Sequence, residues 1–505
     1  TSQMQKSETS AKGGSASGGK NQNYEIPNEV REVLGKLEEA GYEAYIVGGS
    51  VRHLIMGDKP NDWDATTNAK PEEVQKIFSD SFYENKFGTV GVKTGSDDLT
   101  LQIIEVTTYR IESKYTDKRH PDEVRYADKL EDDLKRRDFT INAFAMSDGG
   151  EIVDLFGGQE DIKNKIIRAV GDPNERFNED ALRMMRAIRL ATNLGFEIED
   201  DTLKAIIRNH GLMAAISKER IRDEFIKIIN SPDADRGVEL LRQTELMRYV
   251  LPELIEGIGV GQNKHHIYTV WEHNLRALKY ACDKNYSLEV RLASLLHDVG
   301  KPRSKRGDGS DSTFYGHEII GAKMTAQAMD RLKFPQKQAE KIIKLVHYHL
   351  FYYNVGEVTE SSVRRLVANI GKENVEDLIK VREADRIGSG VPKAKPYKLR
   401  HLQFMIDKVA RDPISAKMLK VNGEDIMKTL NIEPGPRVGM IMSALMNEVL
   451  DDPSKNTAEY LELRTKELNK LPEAELVELG RMGKQKAVIE EEKEVGKIKE
   501  KYYVE

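Results

Sequence analysis

One change of rhythm divides this chain of 505 residues. Up to about Gly158 its apolar residues switch repeatedly between helical and strand periods; beyond Ile162 they recur only at the three- and four-residue spacing of amphipathic helices. The first region predicts a helix through VREVLGKLEEAG (30–41), a strand at YEAYIVGG (42–49) and a helix at KPEEVQKIF (70–78). It continues with β-branched runs at VGVKTG (90–95), LTLQIIEVTTYR (99–110) and EIVDLF (151–156). The second is exemplified by ALRMMRAIRLATNLGF (181–196) and RIRDEFIKII (220–229), helices that must bury one face against neighbours. A chain this long exceeds one core and suggests three or four domains. Residues 1–23 hold clustered Ser and Gly with almost nothing apolar and are expected to be a disordered tail. An α+β head is expected over 24–160, then an extended all-α body: a neck over 161–257, a histidine-rich segment over 258–392 and a tail over 393–505. Pro and Gly punctuation at LPELIEGIGVG (251–261) and SGVPKAKP (389–396) marks two of these boundaries. The closing run GKQKAVIEEEKEVGKIKEKYYVE (483–505) reads most simply as a solvated helix.

Charge narrows the function classes without choosing one. Lys+Arg 78 against Asp+Glu 84 leaves a net charge of −6, so any nucleic-acid site must be a local patch. A single cysteine, Cys282, excludes a disulfide framework and a Cys-based zinc cluster, which fits a reducing cytoplasm. No window approaches the roughly 18 apolar residues of a membrane span. The sequence carries no signature that fixes an oligomeric state.

The strand YIV runs into Gly48, Gly49 and Ser50, and Asp62-Trp63-Asp64 follows after a helix. Residues two apart on a strand share a face, so Asp62 and Asp64 would present two carboxylates together. Two like charges so close call for a divalent cation, Mg²⁺ by default. The glycines let backbone N–H groups approach phosphate, and Arg52 adds positive charge at the following helix start. Alone, GGS reads equally as an ordinary turn and DWD as a solvated loop. Glu105, in the alternating run IIEVTTYR, is a candidate third carboxylate or simply a paired strand Glu. Downstream, Arg136-Arg137-Asp138-Phe139-Thr140-Ile141-Asn142-Ala143 sets two guanidiniums beside an Asp and an Asn, suited to phosphate and ribose or to a surface ion cluster. In Glu179-Asp180-Ala181-Leu182-Arg183-Met184-Met185-Arg186, read as one helix, Asp180 and Arg183 share a face. They would form either an ion pair or an acceptor and donor matching a base edge.

Strand, glycine turn, helix and DWD together resemble the polymerase β type nucleotidyltransferases. The wider set resembles the class II tRNA nucleotidyltransferases, the CCA-adding enzymes and their bacterial poly(A) polymerase relatives, over about 24–471. In that resemblance GGSVR (48–52) with DWD (62–64) is the first catalytic motif, with Asp62, Asp64 and Glu105 catalytic and Mg²⁺ held at Asp62 and Asp64. Gly48, Gly49, Ser50, Arg52, Arg137, Asp138, Asn142, Asp180, Arg183 and Arg186 would bind nucleotide, with Asp138 on the ribose and Asp180 with Arg183 as a protein template for CTP and ATP. DLFGG (154–158) resembles the hinge between head and neck, and ERIRDE (219–224) a neck-stabilising motif in which Arg220 would bridge to Glu224. His53 stands where the family's first motif has Asp, which implies altered helix capping or triphosphate affinity. ESKYTDKRHPDE (112–123) resembles the loop that CCA-adding members use to switch from CTP to ATP and that CC-only members lack. Template-independent CCA addition to tRNA from CTP and ATP is the implied function; poly(A) or partial addition is the alternative within the family, and the acidic net charge weighs against poly(A).

Histidine usage points to a second centre. Seven of the 11 histidines (265, 266, 273, 297, 317, 347 and 349) fall within 85 residues, where uniform scatter would put about two. His273, then His297-Asp298, then Asp385 reproduce the H…HD…D order of HD-domain phosphohydrolases, with His317 and His347 available for a second metal. The resemblance implies a divalent ion, Mn, Ni or Mg, and either a phosphohydrolase acting on RNA ends or an inherited helical scaffold. VNGEDI (421–426) and IEPGPRVG (432–439) resemble an RNA-facing tail, with Arg437 as the RNA-binding residue.

Overall fold

The computed structural model describes residues 24–85, 88–111, 125–263, 267–411 and 414–505. The expected tail 1–23, the expected switching loop 112–123, His265 and His266 lie outside the described residues. The chain forms two compact units, one of 24–256 with 328–335 and one of 257–327 with 336–505.

The first unit opens with the helix Asn28–Glu39, which buries Val30, Val33, Leu34 and Leu37 along one stripe. That stripe packs on a mixed seven-stranded sheet. Its strands are β1 (Ala44–Val47), β2 (Asp64–Thr67), β3 (Ser81–Asn85), β4 (Thr89–Lys93) and β5 (Ile103–Thr108). A short ribbon of β6 (Arg110–Ile111) and β7 (Arg125–Tyr126) stands apart, and β8 (Phe144–Met146) and β9 (Ile152–Asp154) complete the sheet in the order β3-β4-β5-β2-β1-β8-β9. β2 and β5 are parallel neighbours, whereas β1 pairs antiparallel with both β2 and β8. On β5 the alternation works as the sequence predicts: Ile104, Val106 and Thr108 face the core, and Glu105 points to the open side.

The neck half of this unit is helical: Pro173–Glu179, Arg183–Leu194, Asp200–Asn209, Lys218–Ile229 and Ala234–Gln243. The expectation that strands vanish beyond Ile162 is corrected here, because β10 (Ile166–Ile167) and β11 (Glu197–Ile198) form a parallel pair. Two-residue strands are too short to register as an alternation.

The second unit contains the helices Val270–Asp283, Leu288–Leu296, Gln336–Tyr348 and Val375–Gly388. Its tail core joins Gly423–Leu430, Pro436–Asp451, Ala458–Leu468 and the long final helix Glu473–Lys501. That last helix is more than solvated: it buries Leu476, Gly480 and Gly483, and Glu491 is ion-paired with Arg411 at 2.5 Å.

Candidate functional site

The glycine turn is a bracket for the acidic strand. Gly48 takes φ 67° at the N-cap of the helix Gly49–Met56, a conformation that favours glycine, and a Cβ there would lie 3.1 Å from Arg137 Nη1. Ser50, fully buried, donates from Oγ to the Asp62 carbonyl at 3.2 Å and accepts from the Asp64 amide at 3.1 Å. Its observed role is therefore to fix the acidic segment. Only Asp64 belongs to β2; Asp62 lies in the bend before it, exposed, while Trp63 between them is buried. Parallel pairing sets Asp64 in register with Glu105.

Asp64 and Glu105 thus lie side by side on the sheet with Asp62 in the bend just before β2, and their charges oppose one another. Burial first, then Asp62, pushes the Asp64 carboxyl up to about 6. Glu105, although an exposed residue, is pushed up to about 7 by desolvation and then by Asp64. A donor set of this kind fits a hard divalent cation, whose charge would relieve the repulsion.

Beside the acids lies a buried polar lattice. Asp138 Oδ2 pairs with Arg186 Nη2 at 2.6 Å, and Asp138 Oδ1 accepts from the Phe139 amide at 2.8 Å and from Asn142 Nδ2 at 3.4 Å. Asn142 Oδ1 in turn accepts from Arg52 Nη1. Burial alone would raise the Asp138 carboxyl, but Arg186 and Arg183 over-ride it and hold it at about 2. Arg52 is therefore folded onto Asn142 and largely buried, and does not stand free at the helix start. His53 lies within that helix, where burial and then Arg52 lower its ring; Arg52 Nη2 donates to His53 Nε2 at 3.5 Å. The N-cap of that helix is Gly48, with no side-chain cap hydrogen bond.

Sequence reasoning missed Asp133. Fully buried, it holds Arg136 at 2.7 Å and Arg137 at 3.1 Å, so one carboxylate aims both guanidiniums. Its spacing of three and four residues from that arginine pair, on a helical run, was the available signal.

Two neck expectations are corrected. Asp180 and Arg183 do not share a helical face: the helix Pro173–Glu179 ends at Asp180, which caps the Leu182 amide at 3.0 Å, and a new helix starts at Arg183. Arg183 pairs instead with Glu179 at 2.5 Å. Arg220 does not bridge to Glu224 but reaches Asp180 at 2.7 Å, while Glu224 pairs with Arg189 at 3.0 Å. Arg437 donates to the Asn469 side chain and carbonyl, both at 2.7 Å, so its fork ties two tail segments together.

In the second unit His273, His297, Asp298 and Asp385 bring one ligand atom each within 4.8 Å of one another, and Asp298, His317 and His349 do the same. Asp298 belongs to both groups. His273 Nε2 is 3.1 Å from Asp298 Oδ2 and 3.3 Å from Asp385 Oδ1, while Asp298 Oδ1 is 3.3 Å from His317 Nε2 and 3.6 Å from His349 Nε2. His349, not His347, completes the second group: His349 is buried, whereas His347 is only partly buried and stacks edge-on against Tyr348. The Nδ1 atoms of His297, His317 and His349 are engaged by the carbonyls of Ser294, Phe314 and Val346 at 2.7, 2.8 and 2.6 Å. Those bonds turn each Nε2 toward the cluster, the arrangement metal-binding imidazoles need. The turn after Asp298 packs so closely that a Cβ on Gly300 would lie 2.2 Å from the His317 carbonyl oxygen. Burial would raise both carboxyls, yet Lys301 and His297 hold Asp298, and His273 and His297 hold Asp385, well below the usual carboxylate range.

Comparison with known proteins matches three consecutive parts of the chain: the poly(A) polymerase head domain over 44–168, the probable RNA and SrmB-binding site of polymerase A over 195–257, and the HD domain over 270–388. The CCA-adding enzyme of Limosilactobacillus reuteri is 46% identical over 87% of this chain and 96% of its own length. That of Ligilactobacillus salivarius is 33% identical over 88% of this chain and 98% of its own. Among solved structures, the Bacillus stearothermophilus CCA-adding enzyme in complex with CTP superposes with a TM-score of 0.58 at 30% identity, covering 88% of this chain and 98% of that one. The likeness to these relatives runs across nearly their whole lengths, and the chain belongs to the CCA-adding enzyme family.

Proposed function

We propose that this protein adds C, C and A to the 3′ end of tRNA from CTP and ATP. The observation that carries the reading is the parallel register of Asp64 with Glu105 beside Asp62, on a turn held by Ser50. Asp62 and Asp64 would hold Mg²⁺, which would supply charge neutralisation at the triphosphate and a lowered pKa at the attacking hydroxyl. The RNA 3′-hydroxyl gives up its proton to water, its oxygen bonds to the α-phosphorus, the bond to the β-bridging oxygen breaks and pyrophosphate leaves. Arg137, aimed by Asp133 toward Gly48, stabilises the phosphates. Asp138 and Asn142 address the ribose, and Arg183 with Asp180 reads the base edge, one from the end of a helix and the other from the start of the next. Selection by side chains accounts for specificity without a nucleic-acid template. With a single cysteine, Cys282, the chain cannot form an internal disulfide, which supports work in a reducing cytoplasm, and no helix among the described residues is long and apolar enough to cross a membrane.

The decisive measurement is incorporation into tRNA lacking its terminal CCA. CTP alone should extend it by two residues, and ATP should then add one; failure to incorporate CTP overturns CCA addition, and runs of A from ATP alone point to poly(A) synthesis.

A second activity follows from the shared Asp298. Two ligand groups joined by one carboxylate suit a pair of divalent ions, Mn, Ni or Mg, and metal-dependent phosphohydrolysis of RNA ends. Phosphate release from a 3′-phosphorylated RNA that is abolished by chelator and restored by metal is the expected result.

A further inference from the structure

Two cavities in the second unit meet at the same pair of arginines. One, of about 330 Å³, holds Asp298, His317, His349 and Asp385 with Lys301, and Arg382 and Arg386 form part of its wall. The other, of about 450 Å³, is lined by Phe351, Tyr353 and Tyr397 with Lys398, and its wall again includes Arg382 and Arg386. Arg382 is fixed on both sides: Nη1 is 2.6 Å from Asp385 Oδ2, and its guanidinium lies 5.7 Å from the Phe351 ring centre. Arg386, one turn further along the same helix, donates from Nε to the Lys393 carbonyl at 3.4 Å and forms no ion pair among the described residues. Tyr353 is anchored through its hydroxyl to His401 Nδ1, while Tyr397 is 40% exposed.

Such a neighbourhood selects its ligand chemically. Arginine forks suit a phosphate, and the carboxylates and imidazoles would bring a divalent cation to it. Aromatic rings interleaved with cations suit a nucleobase, whose stacking contributes about 1–3 kcal/mol per base. A cavity of this volume falls in the range of small-ligand sites and admits one nucleoside. Building on the phosphohydrolase reading above, we infer that the aromatic cavity is the base subsite of the metal cluster. The substrate is then the phosphorylated terminal nucleotide of an RNA, held by Arg386 at the phosphate and by Tyr397 at the base. In the reaction a water oxygen bonds to phosphorus, the phosphorus bond to the ribose oxygen breaks, and that oxygen leaves with the proton from water.

The test uses the full chain with Mn²⁺, Mg²⁺ or Ni²⁺ and two substrates, uridine 2′,3′-cyclic phosphate and base-free glycerol 1,2-cyclic phosphate. Uridine keeps a head selective for C and A out of the measurement. The wild type should favour the uridine ester, and Tyr397→Ala should erode that preference roughly 10-fold, mainly through KM, while Tyr397→Phe retains it. Arg386→Ala should weaken both substrates. Equal losses on the two substrates in Tyr397→Ala, or no loss on either, overturn the base subsite while leaving hydrolysis intact. Calorimetric binding of uridine 3′-monophosphate separates the two ideas if turnover is absent. Binding weakened roughly 10-fold by Tyr397→Ala supports the subsite and removes the hydrolase reading; binding indifferent to Tyr397 overturns the subsite.

Discussion

The two acidic centres of this protein are built on opposite electrostatic plans. In the second unit each buried carboxylate has cations or imidazoles within reach: Asp298 touches Lys301 at 2.7 Å and lies among four histidines. In the head, Asp64 and Glu105 face each other and Asp62, and their carboxyls rise rather than fall. A site that balances its own charges is assembled before any ion arrives. A site of like charges becomes favourable only when a cation joins it, and among the described residues the head carboxylates are not gathered as tightly as the histidine cluster. The difference teaches that one kind of residue, a metal-binding Asp, can be a liability to folding in one unit and a structural requirement in the other.

The largest expected effect breaks this comparison on activity. Asp64→Ala should lower nucleotide addition by at least about 10³-fold, since it removes charge stabilisation at the reacting phosphate. Without metal it should leave the melting temperature unchanged or raised, because a repelled carboxylate has gone. Addition that persists would refute the metal assignment; a marked loss of stability would refute the account of repulsion.

The converse substitution sharpens the same contrast on stability. Asp298→Asn should destabilise the second unit by about 3–5 kcal/mol, the usual consequence of leaving a buried cation without its partner. Lys301 is 7% exposed and would keep only uncharged partners among the described residues, Gln262 Oε1 at 2.7 Å and the Phe314 ring at 5.6 Å. Urea unfolding followed by Trp271 fluorescence in a Trp63→Phe background reads this unit, while CTP incorporation into truncated tRNA should continue. An undiminished midpoint would mean that the cluster does not depend on its ion pairs.

How far the sequence discloses these centres depends on how each is encoded. The head acids are legible because DWD and the alternation around Glu105 are local patterns, and strand geometry converts them into a common face. Ser50 is less so: its two bonds to the backbone at Asp62 and Asp64 exist only once the turn and strand are brought together. Asp180 and Arg183 mislead for a related reason. An i,i+3 spacing implies one face only if the helix is continuous, and here Asp180 takes extended angles of φ −142° and ψ 107°. The choice between His347 and His349 turns on where a helix stops. Gln336–Tyr348 ends one residue before His349, and that exit turns the second ring inward while the first stays on the helix surface. Element boundaries, set by capping and tertiary packing, are what apolar periodicity encodes least well.

Between the two extremes lies Asp138, a buried acid of the first unit whose arginine neighbours outweigh its burial. Its carboxyl sits at about 2, against an ordinary 3.8 in an unfolded chain. The folded state therefore binds the proton less readily than the unfolded state, and the associated stability is present in full above about pH 4. It disappears as pH falls from about 4 toward 2, where the folded carboxyl also takes up a proton. A displacement of this size corresponds to roughly 2 kcal/mol at neutral pH. Asp138→Asn should accordingly lower the stability of the first unit by about that amount at pH 7, with the gap between variant and wild type closing near pH 2. Trp63 fluorescence in a Trp271→Phe background, followed through urea unfolding at pH 7, 4 and 2.5, measures it. A gap that stayed constant with pH would assign the loss to packing of the altered side chain. A gap that widened on acidification would mean that Arg186 and Arg183 do not control this carboxyl, and the head would then resemble its own repelled acids more than the balanced cluster of the second unit.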